Sequence, residues 1–242
     1  MEYFYTSKDN VEEHNSSLII TGTEHKHLTK VLKKRINDKI TVTDGKLNVY
    51  FCEIINIGKH EIRCNILSRK NNIFEPELKL TLCLCLLKNL DRYEFAIEKA
   101  VELGITEIIP VISEYTINKS GLSDLKIQRL NSIVLSAMKQ SQRCYLPAVQ
   151  KCIDFQKLLL ISKDYETKIL MYEFADSTCK IENRNFKKNC LLLIGPEGGF
   201  SKEEVKSLEL GGWLIYSLGD RKLRTETAAI ISVYKILNNL IY

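Results

Sequence analysis

Twice in the C-terminal half of the chain an apolar strand runs into a glycine-bearing loop, and the loop runs into a helix. The first case is Leu191–Phe200 (LLLIGPEGGF), followed by Ser201. The second is Leu218–Ala229 (LGDRKLRTETAA), which follows the strand-like Trp213–Ser217. Strand, loop and helix in that order are the repeating unit of a parallel α/β sheet, so this half is expected to be α/β. The first of these strands is Cys190–Gly195, and others are predicted at Leu80–Leu87, Glu107–Val111 and Lys168–Tyr172. Helices fit Arg92–Leu103, Asp124–Ser141, Lys202–Leu210 and Glu226–Asn239. Gly104 suits the left-handed residue that closes the first of them. Ser201 and Glu204 have the spacing of a capping box, and Thr225 is expected to cap the last helix.

Residues 1–72 read differently. Strand-like runs at Tyr3–Thr6, Ser17–Thr21, Lys39–Thr43, Lys46–Ile57 and Glu61–Leu67 lie close together, with one short helix over Glu24–Lys33. Asp44 and Gly45 carry the signature of a type I′ hairpin turn, which needs positive φ at both central residues. Closely spaced antiparallel strands predict a small β-barrel. Ser68–Lys79 is polar and holds Pro76. The domain boundary is placed there, giving domains 1–72 and 73–242.

The longest apolar run, Leu78–Leu87, is too short for a membrane span, which needs about 18 residues, and it contains Lys79. Met1–Phe4 shows no basic region followed by an apolar stretch, so no signal peptide is expected and the location predicted is cytoplasmic. The eight cysteines, at 52, 64, 83, 85, 144, 152, 179 and 190, never form a Cys-x-x-Cys pair. They read as reduced core thiols, with Cys83 and Cys85 on one face of a strand, and no metal site is predicted. A net charge of +5 permits an RNA partner without demanding one.

Three glycines in Gly195–Gly199 let a ligand approach the backbone closely. No Gly-Lys-Ser/Thr follows, so the loop is not a P-loop, and it is not Gly-x-Gly-x-x-Gly. A plain turn explains the glycines as well. In the second loop, Arg224 and Glu226 stand where a helix that is apolar nearly all round opens. Either they pair with each other or cap the helix, or they face a cleft. The four histidines, at 14, 25, 27 and 60, all precede residue 73, so an α/β active site has no histidine base. Glu226, Glu197 and Glu102 are the carboxylate candidates for general base. Glu94, Glu98 and Glu102 recur every four residues and repel unless cations or a partner offset them. A solvated face is the plain reading of that pattern. Lys30, Lys33, Lys34 and Arg35 fit a phosphate backbone as well as they fit a solvated turn.

Together these stretches resemble the RsmE family of 16S rRNA uracil-N3 methyltransferases, within the SPOUT methyltransferases. The similarity runs through Lys88, Glu94–Phe95, Glu98–Gly104, Pro110, Ser113–Glu114, Gln140–Arg143 and Pro147. It is closest in Leu193–Gly199 and Leu218–Ala228. The resemblance implies a PUA-like barrel followed by a SPOUT domain with a parallel sheet and a trefoil knot. It implies a homodimer, S-adenosyl-L-methionine as cofactor, and 16S rRNA within the 30S subunit as substrate. Cofactor contacts would come from Leu170, Tyr172 and Glu173, from Ile194, Gly195, Pro196, Glu197, Gly198 and Gly199, and from Leu218, Gly219, Leu223, Thr225 and Thr227. Arg224 and Glu226 would be catalytic. Lys30, Lys33, Lys34, Arg35, Lys88, Arg92 and Arg143 would meet RNA.

The chain departs from the family pattern at Tyr115, where an arginine is usual, and at Lys33, Asn37 and Lys139. Lys33 keeps a charge but loses the bidentate fork of arginine. Three other readings stand beside this one: a SPOUT enzyme acting on transfer RNA or another ribosomal nucleotide, a non-catalytic ribosome-assembly factor, and a nucleotide-phosphate enzyme.

Overall fold

In the computed structural model of the protein, residues 2–12, 14, 16–176, 186 and 188–238 are described. Cys179 and Asn239 lie outside the described residues. The chain divides into two compact units, Met1–Glu75 with Leu135–Leu146, and Pro76–Val134 with Pro147–Tyr242.

The first unit contains β1 (Phe4–Tyr5), β2 (Val11–Glu12), β3 (Ser17–Thr21), α1 (Gly22–Lys26), β4 (Lys39–Thr43), β5 (Asn48–Ile57) and β6 (Glu61–Asn71). The strands form one sheet in the order β1-β4-β5-β6-β3-β2. Only β1 and β4 pair in parallel; the other neighbours are antiparallel. Alternate residues turn Leu18, Ile20, Ile40, Val42, Ile54 and Ile62 into a single core, the period-two pattern of a one-sided sheet.

Two local expectations change here. Asp44 and Gly45 do not form a type I′ turn. A four-residue loop separates Thr43 from Asn48, and positive φ falls at Gly45 (67°) and Leu47 (70°). The buried Asp44 carboxylate accepts from the Lys46 N–H (2.8 Å), Asn48 Nδ2 (2.7 Å) and the Tyr50 hydroxyl (3.3 Å). Those bonds fasten a wider loop than the two-residue turn allows. The helix expected over Glu24–Lys33 is α1 followed by a wider π turn at His27–Val31, and Lys33 has φ 51°.

The Glu75 carboxylate closes this unit from within. It accepts from Arg143 Nη2 (2.6 Å) and Nε (3.1 Å) and from the N–H groups of Cys144 (2.9 Å) and Tyr145 (3.0 Å). The side chains of Arg143 and Glu75 are only 6% and 5% exposed.

The second unit contains β7 (Lys79–Cys85), α2 (Leu90–Leu103), β8 (Glu107–Ile112), α3 (Asp124–Gln140, counted with the first unit from Leu135), β9 (Ala148–Val149) and β10 (Ile153–Asp154). It continues with α4 (Phe155–Ile161), β11 (Thr167–Met171), β12 (Asn189–Ile194), α5 (Lys202–Leu210), β13 (Leu214–Tyr216) and α6 (Thr225–Asn238). The sheet runs β10-β8-β7-β12-β11-β13, with β9 also on β8, and every pairing is parallel. β12 lies between β7 and β11, and Cys190–Leu193 are fully buried. A strand covered on both faces reads as an unbroken apolar run, not an alternating one.

Helix ends follow their local chemistry. Gly104 closes α2 at φ 119°, and the Ser201–Glu204 capping box forms at α5. At α6 the cap differs from expectation. The Ala228 N–H donates to the Arg224 carbonyl (2.8 Å), so Arg224 holds the cap position and Thr225 is the first helical residue. Cations offset the acidic repeat on α2: Lys99 bridges Glu98 and Glu102 (2.7 Å each), and Arg129 meets Glu94 (2.6 Å). Among the described residues, no helix is long and apolar enough to cross a membrane.

Burial pushes the thiols of Cys64, Cys85 and Cys190 from an ordinary value near 9 up to about 12. A raised folded-state pKa contributes stability that is complete below the unfolded value and is lost as pH rises through the folded one. Denaturant midpoints should therefore fall from about pH 9 toward about pH 12. A Cys64→Ala, Cys190→Ala variant should show a shallower fall, and an equal slope would contradict this assignment.

Candidate functional site

β11, β12 and β13 end level, with Met171 opposite both Ile194 and Tyr216. Their three following loops therefore leave the sheet side by side at its carboxyl edge, where open α/β sheets hold ligands. A cleft of about 320 Å³ lies among these loops. Its lining includes Tyr172 and Glu173 after β11, Gly195–Glu197 and Gly199 after β12, and Leu218, Gly219 and Leu223–Glu226 after β13.

Each glycine of the β12 loop has a separate physical reason. A Cβ on Gly195 would stand 2.8 Å from the Phe200 ring, and one on Gly198 would stand 2.9 Å from the Cβ of Tyr115. Gly199 has φ 71°, and its N–H donates to the Pro196 carbonyl (2.9 Å). Glu197 anchors the loop by accepting from the Lys88 backbone N–H (3.2 Å). Glu204 serves two segments: one oxygen accepts from the Ser201 N–H (3.1 Å), the other from the Glu114 N–H (2.8 Å). That second bond steadies the loop whose Tyr115 packs on Gly198.

The lining carries four cations, Arg92, Arg221, Lys222 and Arg224, against three carboxylates, Glu173, Glu197 and Glu226. Lys222 pairs with Glu173 (3.1 Å) and Arg92 with Glu226 (3.6 Å). Arg224 and Glu226 thus do not pair with each other. Among the described residues Arg221 and Arg224 form no ion pair, and both are exposed. The excess positive charge therefore sits at Arg221 and Arg224. Apolar walls from Met171, Ile194, Phe200 and Leu223, edged by loop backbone, suit a planar heterocycle with hydrogen-bonding groups on its rim.

Several residues predicted for this site lie elsewhere. Leu170 is fully buried in the core beneath the sheet edge and is not in the lining. Gly198 faces Tyr115. Thr227 is about 200° around α6 from Thr225 and is not in the lining. Of the three carboxylates considered as bases, Glu226 and Glu197 line the cleft, while Glu102 is held by Lys99 on α2. Lys88 contributes its backbone N–H to Glu197 and exposes its side chain. Arg143 is committed to Glu75 inside the first unit. Lys30, Lys33, Lys34 and Arg35 also lie in that unit, around the π turn. Met171, Phe200, Ser217, Arg221, Lys222 and Ala228 line the cleft without having been predicted. All are sequence neighbours of residues in the two glycine-bearing loops or in the β11 end.

Two family models match the chain. One describes an RNA methyltransferase domain over residues 74–237, the other an RNA methyltransferase PUA domain over residues 20–67. Ribosomal RNA small subunit methyltransferase E of Mesomycoplasma hyopneumoniae is 33% identical, covering 94% of this chain and 97% of the relative. The protein of that name from Rickettsia conorii is 30% identical, covering 92% and 90%. Among solved structures, the ribosomal RNA small subunit methyltransferase E of Neisseria gonorrhoeae, bound to S-adenosyl methionine, superposes with a TM-score of 0.87 at 30% identity, covering 99% of this chain and 98% of that one. The matches thus span both units along nearly the whole chain, and the protein belongs to the ribosomal RNA small subunit methyltransferase E family.

Proposed function

We propose that this protein transfers a methyl group from S-adenosylmethionine to N3 of a uridine in 16S rRNA of the small ribosomal subunit. The observation that carries the reading is the cleft at the ends of β11, β12 and β13, with an exposed arginine, Arg224, held at the cap of α6. The names of the relatives and the cofactor bound to the Neisseria protein support it.

The cofactor supplies an activated sulfonium methyl, so the chain's task is alignment and charge control. Backbone groups near Gly195, Gly199, Leu218 and Leu223 hold the adenosine part, with Tyr172, Glu173 and Thr225 beside it. Uracil N3 carries a proton in its usual form. Arg224 stabilises the negative charge that spreads onto the uracil carbonyls when that proton leaves. Glu226, held by Arg92 (3.6 Å), is the carboxylate in the cleft placed to accept that proton. N3 lies on the Watson–Crick edge, so the base reacts unpaired.

Residues 1–72, with Leu135–Leu146 folded into the same unit, form the RNA-binding domain, and the remainder of 73–242 the methyltransferase domain. Lys30, Lys33, Lys34, Arg35, Lys88 and Arg92 meet phosphates. The chain from β13 to α6 forms the SPOUT knot. In support, β13 is the edge strand, whereas α6 packs on α2, β12 and β7. The enzyme works in the cytoplasm as a homodimer, and the exposed rings of Phe95 and Tyr234 on α2 and α6 offer a second copy apolar surface.

Gly199→Val should lower S-adenosylmethionine affinity by roughly tenfold or more, because a β-branched residue at positive φ is strained by about 1–2 kcal/mol and moves the loop. Calorimetric titration reads this, and wild-type affinity would argue against the loop's role. The reading as a whole is tested by offering labelled S-adenosylmethionine with 30S subunits, free 16S rRNA or transfer RNA. Label in the small-subunit RNA is expected. Label in transfer RNA alone would overturn the substrate assignment.

A further inference from the structure

Residues 27–37 of the first unit expose aliphatic side chains among cations. Leu28 is fully buried in the unit's core and anchors the segment. Beyond it Val31 is 67%, Leu32 42% and Ile36 53% exposed. Lys30, Lys33, Lys34 and Arg35 interleave with them, and among the described residues none of these four cations forms an ion pair. The nearby Asp38 carboxylate is turned to the Arg35 backbone N–H (2.8 Å).

The backbone here is not an ordinary helix end. The Leu32 N–H donates five residues back to the His27 carbonyl (3.0 Å), and the Lys34 N–H reaches the Leu28 carbonyl (2.9 Å). Lys33 takes a left-handed φ of 51°. Such π turns are uncommon and gather at functional sites. A merely solvated turn requires neither this geometry nor three aliphatic side chains left in water.

We propose that this segment is a wedge for unpaired RNA. Lys30, Lys33, Lys34 and Arg35 take phosphates, and Val31, Leu32 and Ile36 press against unstacked bases. The inference rests on the reading of the chain as an RNA-modifying enzyme and adds an aliphatic contact to its phosphate contacts. Proteins that distort nucleic acids insert aliphatic side chains between base steps. In RNA, the exposed base faces belong to loops and bulges, so the wedge selects those over duplex. A protein partner would match the aliphatic groups but would desolvate four cations without supplying phosphates.

The test uses the full chain and an RNA hairpin carrying 2-aminopurine in its loop. Wild type should bind the hairpin more tightly than a duplex and raise the fluorescence as the loop unstacks. V31S/L32S should bind roughly ten- to a hundredfold more weakly, lose the fluorescence rise and keep the salt slope. K30Q/K34Q should lower that slope by about 1.4, at about 0.7 per phosphate contact, and keep the fluorescence rise at saturation. If V31S/L32S shifts the circular dichroism spectrum or the S-adenosylmethionine affinity, I36S is read in its place. Wild-type affinity and fluorescence in the aliphatic variants would overturn the wedge. So would equal binding of duplex and hairpin, or binding of anionic phospholipid vesicles in preference to RNA. Failure of the wild type to methylate any RNA overturns the underlying reading. Methylation of 30S subunits with an unchanged KM in V31S/L32S overturns the wedge alone.

Discussion

Replacing Arg224 with Ala should cut methyl transfer by about 10²–10³-fold, the usual loss for one donor to a developing anion. S-adenosylmethionine affinity should stay within about twofold of wild type, because the interaction is made with uracil as it loses its proton and not with the cofactor. The geometry supports this separation. The Arg224 backbone caps α6 through its carbonyl, which Ala also provides, while its guanidinium forms no ion pair among the described residues. Arg224→Lys should restore part of the rate, since the charge returns without the planar fork. Single-turnover rates alongside calorimetric titration separate the two quantities. Equal loss of rate and cofactor affinity would remove Arg224 from the chemistry and make it a cofactor residue.

The second large effect is on stability. Glu75→Ala should cost about 3–5 kcal/mol, the range for breaking a buried ion pair by removing one partner. The cause is what stays behind: the Arg143 guanidinium in the interior, and the N–H groups of Cys144 and Tyr145 without their acceptor. Glu75→Gln should cost less, because the amide oxygen still accepts from one of those donors. The double variant E75M/R143M should recover part of the loss by removing the stranded charge. Denaturant midpoints of the three variants check this. A double variant as unstable as Glu75→Ala would show that the charge is not the cause.

Much of this was legible in the sequence, for identifiable reasons. β12 was readable because a strand buried on both faces is apolar without interruption. The α5 cap and the Gly104 stop were readable because each depends on side chains within three residues or on one φ. The Asp44–Leu47 loop was misread because its shape follows from a buried carboxylate gathering Lys46, Asn48 and Tyr50, and periodicity carries no trace of that. The return of Leu135–Leu146 to the first unit had no local signal either. It depends on Arg143 finding Glu75, 68 residues earlier in the chain.

The site shows the same division. Both glycine-bearing loops announced themselves, because close backbone approach and positive φ restrict the residue type. Which glycine faces the cleft did not. Gly198 is small for the sake of Tyr115, and Gly195 for the sake of Phe200. Glu226 was readable as a residue at a helix mouth, but its partner Arg92 comes from a different helix, brought near only by the packing of α2 on α6.

The most direct test of the central claim is the identity of the methylated nucleoside. The enzyme would be incubated with S-adenosylmethionine and 30S subunits from cells lacking their own uracil-N3 enzyme, and the 16S rRNA digested and analysed by mass spectrometry. The account predicts 3-methyluridine, formed about 10²–10³-fold more slowly when Arg224 is replaced by Ala. A methyl group on a ribose oxygen or on another base would contradict it.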